Sequence, residues 1–369
     1  MQVQYNYLPF EFKSNEKIFK EWKKLIKSTD FTLGKYVKKF ESDFKKFVKA
    51  KYCVATNNGT DALILALKSI GIKKGDEVIT VCNSFYATAG AIIACGAKPV
   101  FVDCDDRYQI DVKEIEKKIS LKTKAIVPVH WGGASPNMSK IIKIAKRKKI
   151  KVIEDACMGI GAKIFNKSPG TFGDVGAYSM HPLKSLNVMG DGGMVTTNNK
   201  DFYNWMIRFR NHGMIDRDNI DFWGVNMRIQ PLQAIVAIEN LKKIKRTINI
   251  RNKNAKFLDA ELKKLYPHVI LPERKKNYTE TFALYMGLFE DRDNLIKYLK
   301  KNKIDAKIHY PIPLHLQKPA LKMGYKSGNF RVAEKQAKNL ITLPVHQFLS
   351  IKQLKYIVYT IKSFYKKKY

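Results

Sequence analysis

A lysine set between a proline and a run of glycines can do chemistry that a lysine on a solvated helix cannot. Lys184 stands in Ser179-Met180-His181-Pro182-Leu183-Lys184, shortly before Gly190-Asp191-Gly192-Gly193. Its amine, once deprotonated by desolvation or by neighbouring cations, condenses with an aldehyde to a Schiff base. A carboxylate is available upstream. The apolar run Lys151-Val152-Ile153-Glu154-Asp155 reads as a strand ending on Asp155, at the carboxyl edge where open α/β sheets bind ligands. A lysine and a carboxylate so arranged suit pyridoxal phosphate, which needs a carboxylate against its pyridine nitrogen to act as an electron sink. The same residues also read as one surface lysine in a Lys-rich chain and an ordinary strand-end cap.

The elements that must position them alternate. Tyr52 to Ala55 is β-prone, and Ala62-Leu63-x-Leu65-Ala66-Leu67-x-x-Ile70 carries helical spacing. Between them, Asn57-Asn58-Gly59-Thr60-Asp61 puts a glycine and a hydroxyl at a helix N-terminus, which is either a phosphate site or a common cap. Strands are expected near 77–81, 100–103 and 124–129, with helices at 84–95 and 139–148. This order predicts right-handed crossovers and a largely parallel sheet. Phe85 is a candidate for stacking on a flat ring, or a core aromatic. Helices are predicted at 16–28 and 35–48, and a helix over 199–213 follows the lysine loop. The reading divides the chain into a large domain, residues 1–245, with an N-terminal helical segment, and a smaller C-terminal α+β domain, residues 246–369, with strands near 281–288 and 305–308.

Together the motifs resemble the DegT-type (DegT/DnrJ/StrS) sugar aminotransferase family. The resemblance rests on Glu154-Asp155-Ala156, Gly173-Asp174-Val175-Gly176, Ser179-x-His181-Pro182-x-Lys184 and Gly190-Asp191-Gly192-Gly193-Met194-Val195. It continues through Asn58-Gly59-Thr60-Asp61-Ala62-Leu63, Phe85-Tyr86-Ala87-Thr88, Arg210-Asn211-His212-Gly213 and Tyr310-Pro311-x-Pro313-Leu314-His315, in the family's order.

The resemblance implies the aspartate-aminotransferase fold, fold type I of the pyridoxal-phosphate (PLP) enzymes: an α/β large domain with a mostly parallel sheet plus a smaller α+β domain. It implies PLP as cofactor, bound covalently by Lys184, with Asp155 at the ring nitrogen, Phe85 on the ring, and Gly59, Thr60 and Ser179 at the phosphate. Asn226 would reach the phosphate of a neighbouring subunit, making a homodimer with shared sites. His181, Arg228, His309, Tyr310 and His315 fall in segments near the substrate. Glutamate is the implied amino donor and a nucleotide-linked keto sugar the acceptor, in ping-pong kinetics, as in amino-sugar biosynthesis for surface polysaccharide or a secondary metabolite. The sugar dehydratase branch carries histidine in place of this lysine, so Lys184 points to transamination. Phe31-Thr32-Leu33-Gly34 with Val37 and Phe40-Glu41 looks more like the 3-keto-6-deoxyhexose aminotransferases than the 4-keto set. The alternatives are a 4-keto-sugar aminotransferase and a PLP-binding regulatory relative without turnover. The chain departs from the family pattern at Met158 and Ile160, where glutamine and histidine are usual, and at Ser185. Met158 cannot supply the glutamine's hydrogen bond to the cofactor.

Composition bounds the rest. Lys plus Arg number 68 against 33 acids, a formal charge of +35 over 369 residues. Such a balance fits nucleic acid, a membrane surface or an acidic substrate, but the lysines are scattered and no nucleic-acid motif is present. The run from Lys143 to Lys151 reads as a solvated helix face and its exit. Cys53, Cys82, Cys95, Cys104 and Cys157 form no Cys-x-x-Cys pair, which fits a reducing cytoplasm. No apolar run approaches the ~18 residues of a membrane span. The expected location is cytoplasmic, with neither nucleic acid nor membrane as partner.

Overall fold

The structure, a computed structural model, describes residues 1–368, with side chains through Lys367. Its organising element is a seven-stranded sheet built from β1 (Tyr52–Thr56), β2 (Glu77–Val81), β3 (Lys98–Val102), β4 (Thr123–Val127), β5 (Lys151–Asp155), β7 (Val175–Ser179) and β8 (Gly193–Thr197). A short strand β6 (Lys163–Ile164) lies outside it. The spatial order is β1-β8-β7-β5-β4-β2-β3. Pairings from β3 through β7 are parallel, whereas β8 is antiparallel to both β7 and β1. Strands buried on both faces read as continuous apolar runs, and Val152, Ile153, Ala125 and Ile126 are all buried to within 1%.

Because β8 reverses direction between two neighbours, β1 and β7 run the same way. The carboxyl ends of β1, β5 and β7 therefore share one edge. Register sharpens this: Gly193 is opposite both Thr56 and Ser179. A Cβ on Gly193 would sit 2.2 Å from the Asn58 carbonyl oxygen, so glycine is what allows the exit of β1 to close over the exit of β7.

The predicted helices at 16–28 and 35–48 are found as Glu16–Ser28 and Lys35–Val48. The expected helix over 199–213 is shorter, Lys200–Phe209, because the chain turns back and Asn211 pairs with Asn226. Residues 305–308 form no strand of their own; Lys307 makes only an isolated bridge to Thr342.

C-terminal to the helix Pro231–Leu241, a second helix Ile244–Leu262 leads to an antiparallel sheet of β9 (Val269–Ile270), β11 (Tyr285–Phe289) and β12 (Leu340–Leu343). Between these, β10 (Tyr278–Thr279) pairs with β6 and stitches this unit to the large one. Helices Arg292–Lys301 and Ile351–Lys368 complete the unit around Leu258, Tyr285, Phe289, Leu295, Ile341 and Ile357. Val3 belongs to the same core and bridges Ile304 in parallel. The five cysteines are free thiols. Among the described residues, no helix is long and apolar enough to cross a membrane.

Candidate active site

A cleft of about 310 Å³ opens at the carboxyl edge of the large sheet, where the small unit folds over it. Asn58, Gly59, Thr60, Phe85, Asp155, Met158, Ser179, His181, Lys184, His309 and Tyr310 all line it.

Asp155 is the last residue of β5 and is buried. Its Oδ2 accepts the Thr88 hydroxyl at 2.7 Å, and its Oδ1 accepts the Cys157 backbone N–H at 3.2 Å. These bonds hold the carboxylate in one orientation. The neighbouring Glu154 points the other way into the core. Its carboxylate accepts N–H groups of Gly170, Phe172 and Gly173 at 2.8, 2.5 and 2.7 Å and contacts His130 Nε2 at 2.9 Å. Adjacent residues on a strand face opposite ways, so one side chain serves the cleft and the other anchors the glycine-rich crossover.

Lys184 sits in a tight turn, its backbone N–H donating to the His181 carbonyl at 2.8 Å. Burial pushes its amine below the ordinary lysine range, while Cys157 and Asp155 act in the opposite sense. A lysine so lowered is a better nucleophile toward an aldehyde at neutral pH. Burial likewise lowers His181, assisted by the Lys184 cation. His309 is pushed down to about 4 by burial and then by Lys184 and Lys307. Both rings are therefore neutral at pH 7.

The third wall is the N-terminus of the helix Gly59–Ser69, capped by the Asn58 side chain, which accepts the Asp61 N–H. A Cβ on Gly59 would lie 2.6 Å from Ser179 Cβ and 3.2 Å from Cys157 Sγ. Only glycine lets these elements approach so closely. Free N–H groups at a helix start, a serine hydroxyl and a threonine hydroxyl are a donor set that can hold a phosphate.

Aromatic rings close the cleft. Tyr310 lies 5.5 Å from Trp131, 5.6 Å from Tyr86 and 6.1 Å from Phe85, centroid to centroid. Met158 lines the cleft, and its backbone carbonyl accepts the Thr281 hydroxyl at 2.7 Å.

The remaining candidates lie elsewhere. His315 is fully buried, its Nε2 3.0 Å from Glu334 and its ring edge-on to Phe330, so it does not reach the cleft as the sequence reading expected. The 3-10 turn Leu314–Leu316 carries it in the interior, outside the cleft lining. Asn226 and Arg228 are also absent from the cleft lining. Arg228 Nε donates to Asn226 Oδ1 at 3.0 Å, and its Nη1 to Asn211 Oδ1 at 2.9 Å, on a loop whose Trp223 is 89% exposed. Sequence reasoning missed Thr88, Tyr5, Trp131 and Cys157 as cleft residues. Thr88 was legible as the fourth residue of Phe85-Tyr86-Ala87-Thr88; Tyr5 carried no signal.

The donor set fits the phosphate, ring nitrogen and aldehyde of PLP: a close-packed helix N-terminus, a pinned carboxylate and a lysine of lowered basicity around one cavity. Fold and site thus define a PLP-dependent aminotransferase of fold type I. The chain matches the model of the DegT/DnrJ/EryC1/StrS aminotransferase family over residues 13–362 and belongs to that family. It is 38% identical over 344 residues to the "Pleiotropic regulatory protein" of Geobacillus stearothermophilus, covering 93% of this chain and 92% of the relative. It is 34% identical over 340 residues to the UDP-N-acetyl-3-dehydro-alpha-D-glucosamine 3-aminotransferase of Acidithiobacillus ferrooxidans, covering 92% and 91%. The crystal structure of ntda from Bacillus subtilis with bound cofactor PMP superposes with a TM-score of 0.92 at 29% identity, covering 98% of this chain and 85% of that one.

Proposed function

We propose that the chain transfers the amino group of glutamate to a nucleotide-linked keto sugar, with the new amine at carbon 3. The observation that carries this reading is the convergence of Lys184, of lowered basicity, with the pinned Asp155 and the Gly59 helix N-terminus in one cleft. The 3-amino position is supported by the relative that acts on a 3-dehydro sugar nucleotide. The glutamate donor and the sugar nucleotide follow from the family resemblance.

When bound, PLP supplies an electron sink for a carbanion and carries the amino group between donor and acceptor. The chain's residues do the rest. Lys184 Nζ holds the cofactor and, once released, moves the proton at the donor's α-carbon as general base and acid. Asp155 keeps a proton on the ring nitrogen. Gly59, Thr60 and Ser179 bind the phosphate, and Phe85 orients the ring. Neutral His181 and His309 can donate or accept one hydrogen bond each to substrate without adding charge. Asn226 serves the phosphate of the neighbouring subunit's site in a homodimer, a reading supported by its position outside its own chain's cleft.

A second reading is a regulatory relative without turnover, favoured by the name of the Geobacillus relative. One experiment separates the two. The absorbance of the purified protein is recorded with PLP, then with glutamate, beside Lys184→Ala. A band of bound cofactor that glutamate shifts, and that the variant lacks, supports the aminotransferase and justifies a screen of nucleotide keto sugars. A band indifferent to glutamate and to every keto sugar tested would favour the regulatory reading.

A further inference from the structure

Residues 2–11 cross the molecule as a strap. At one end the strap is tied to the small unit: Val3 N–H donates to the Lys303 carbonyl at 2.9 Å, and Asp305 N–H returns to the Val3 carbonyl at 2.9 Å. The Gln2 carbonyl accepts Gln353 Nε2 and the Gln4 carbonyl faces His346 Nε2, both at 3.0 Å. Tyr5, next along, lines the cleft with its ring 5.9 Å from that of His309. Two residues further, Tyr7 donates its hydroxyl to the backbone carbonyl of Lys184 at 3.0 Å.

The surroundings of Tyr7 are built rather than incidental. Its ring is 5% exposed and packs between His346 and Phe348, at centroid distances of 5.4 and 6.3 Å. Over it, 5.1 Å from the centroid, lies the guanidinium of Arg251. Arg251 is 1% exposed and, among the described residues, has no carboxylate as ion-pair partner; its Nη2 has no hydrogen-bond partner either. Its Nε donates to Gln347 Oε1 at 2.9 Å, and Gln347 in turn donates to Glu11 at 2.6 Å, back on the strap. A buried unpaired cation is costly, and the negative face of the Tyr7 ring is what offsets it. The ring is thereby fixed, and its hydroxyl is aimed at one atom of the lysine turn.

We propose that Tyr7 is a positioning residue for Lys184, and that the strap makes the small unit part of the catalytic lysine's support. This rests on the assignment of Lys184 as the cofactor-binding lysine. In each cycle the Nζ atom must leave the cofactor and return, while the backbone beneath it stays in place. Within the turn, Lys184 has the bond from its own N–H to His181; its carbonyl is held from the strap, across 177 residues of chain. A side chain held within a fraction of an ångström at its base returns to the same reacting geometry.

The test is Tyr7→Phe in the full-length protein loaded with PLP, a change that keeps the ring and its packing and removes one oxygen. Three quantities are compared with wild type: the melting temperature, the pH midpoint of the bound cofactor's absorbance change, and the glutamate half-reaction. The variant is expected to melt with the wild type, to shift the midpoint by about half a pH unit or more, and to lose about tenfold in kcat with KM nearly unchanged. A variant that titrates and turns over as wild type overturns the proposal, and so does one that fails to fold, since the bond is then a folding contact. If wild type itself takes up no PLP, the assignment of Lys184 falls and the proposal with it; a normal wild type beside an unchanged variant removes the proposal alone.

Discussion

The Thr88 hydroxyl donates to Asp155 Oδ2 at 2.7 Å, joining the first turn of the helix Tyr86–Ala94 to the end of β5. Both residues are buried. In Thr88→Val the side chain keeps its volume and loses the bond, leaving that oxygen without its donor. A hydrogen bond to a charged group contributes ~1.5–3 kcal/mol. We expect roughly 10- to 100-fold weaker PLP retention or turnover, measured by cofactor titration and by kcat, with little change in melting temperature. An unchanged kcat and PLP affinity would show that Asp155 is oriented without Thr88.

Gly59→Ala tests the phosphate cradle. The new methyl would sit 2.6 Å from Ser179 Cβ, inside any real Cβ contact, so either the helix N-terminus or the end of β7 must move. The expected outcome is a folded protein that loses PLP on dialysis, with affinity down at least tenfold, on the order of 1.4 kcal/mol. Retention of a full complement of cofactor in the alanine variant would place the phosphate elsewhere.

Much of this site was legible in the chain because its parts are short contiguous motifs. Asp155 ends an apolar run, Lys184 sits in a Pro- and Gly-marked turn, and Gly59 follows a cap signal; each is a local pattern with a chemical consequence. Legibility failed where position depends on long-range closure. Tyr7 reaches Lys184 across 177 residues and no periodicity announces it. His315 failed for the opposite reason. It lies close in sequence to Tyr310, which does line the cleft, but the chain turns after Pro313 and buries the imidazole against Phe330 and Glu334. The sheet was read as largely parallel, which holds from β3 to β7; β8 reverses because the lysine loop joins it directly to β7 with no crossover helix between them.

Glu154 should be a stability residue, in contrast to its neighbour. Its carboxylate collects three backbone N–H groups of the 170–173 segment and a histidine ring, all in the core. Glu154→Gln replaces one acceptor oxygen by a donor that faces other donors. Removing one side of a buried charged network costs about 3–5 kcal/mol, and the conservative change is expected at or below the lower end. Chemical denaturation should show the midpoint fall, with PLP binding surviving in whatever fraction remains folded. A denaturation midpoint equal to wild type would mean that the crossover is held by other contacts.

Acid should loosen the strap through His346. Its ring is buried, Nε2 faces the Gln4 carbonyl at 3.0 Å, and Nδ1 accepts the Phe348 N–H at 3.3 Å. The neutral tautomer with its proton on Nε2 satisfies both. Burial, assisted by the Arg251 cation and opposed by the Gln4 bond, lowers its pKa to about 4. The unfolded chain, near 6.5, binds this proton more readily than the folded one, so the contribution is fully present above about pH 6.5 and is lost as pH falls toward 4. His309, also lowered to about 4, adds in the same direction. Within that window each such group makes stability fall by up to ~1.4 kcal/mol per pH unit. His346→Gln keeps a donor for the Gln4 carbonyl and removes the titration, so denaturation curves between pH 4 and 6.5 should be flatter by up to one proton's worth. A slope identical to wild type would mean that His346 binds its proton equally well in the folded and unfolded chain, so that its burial does not set the acid response.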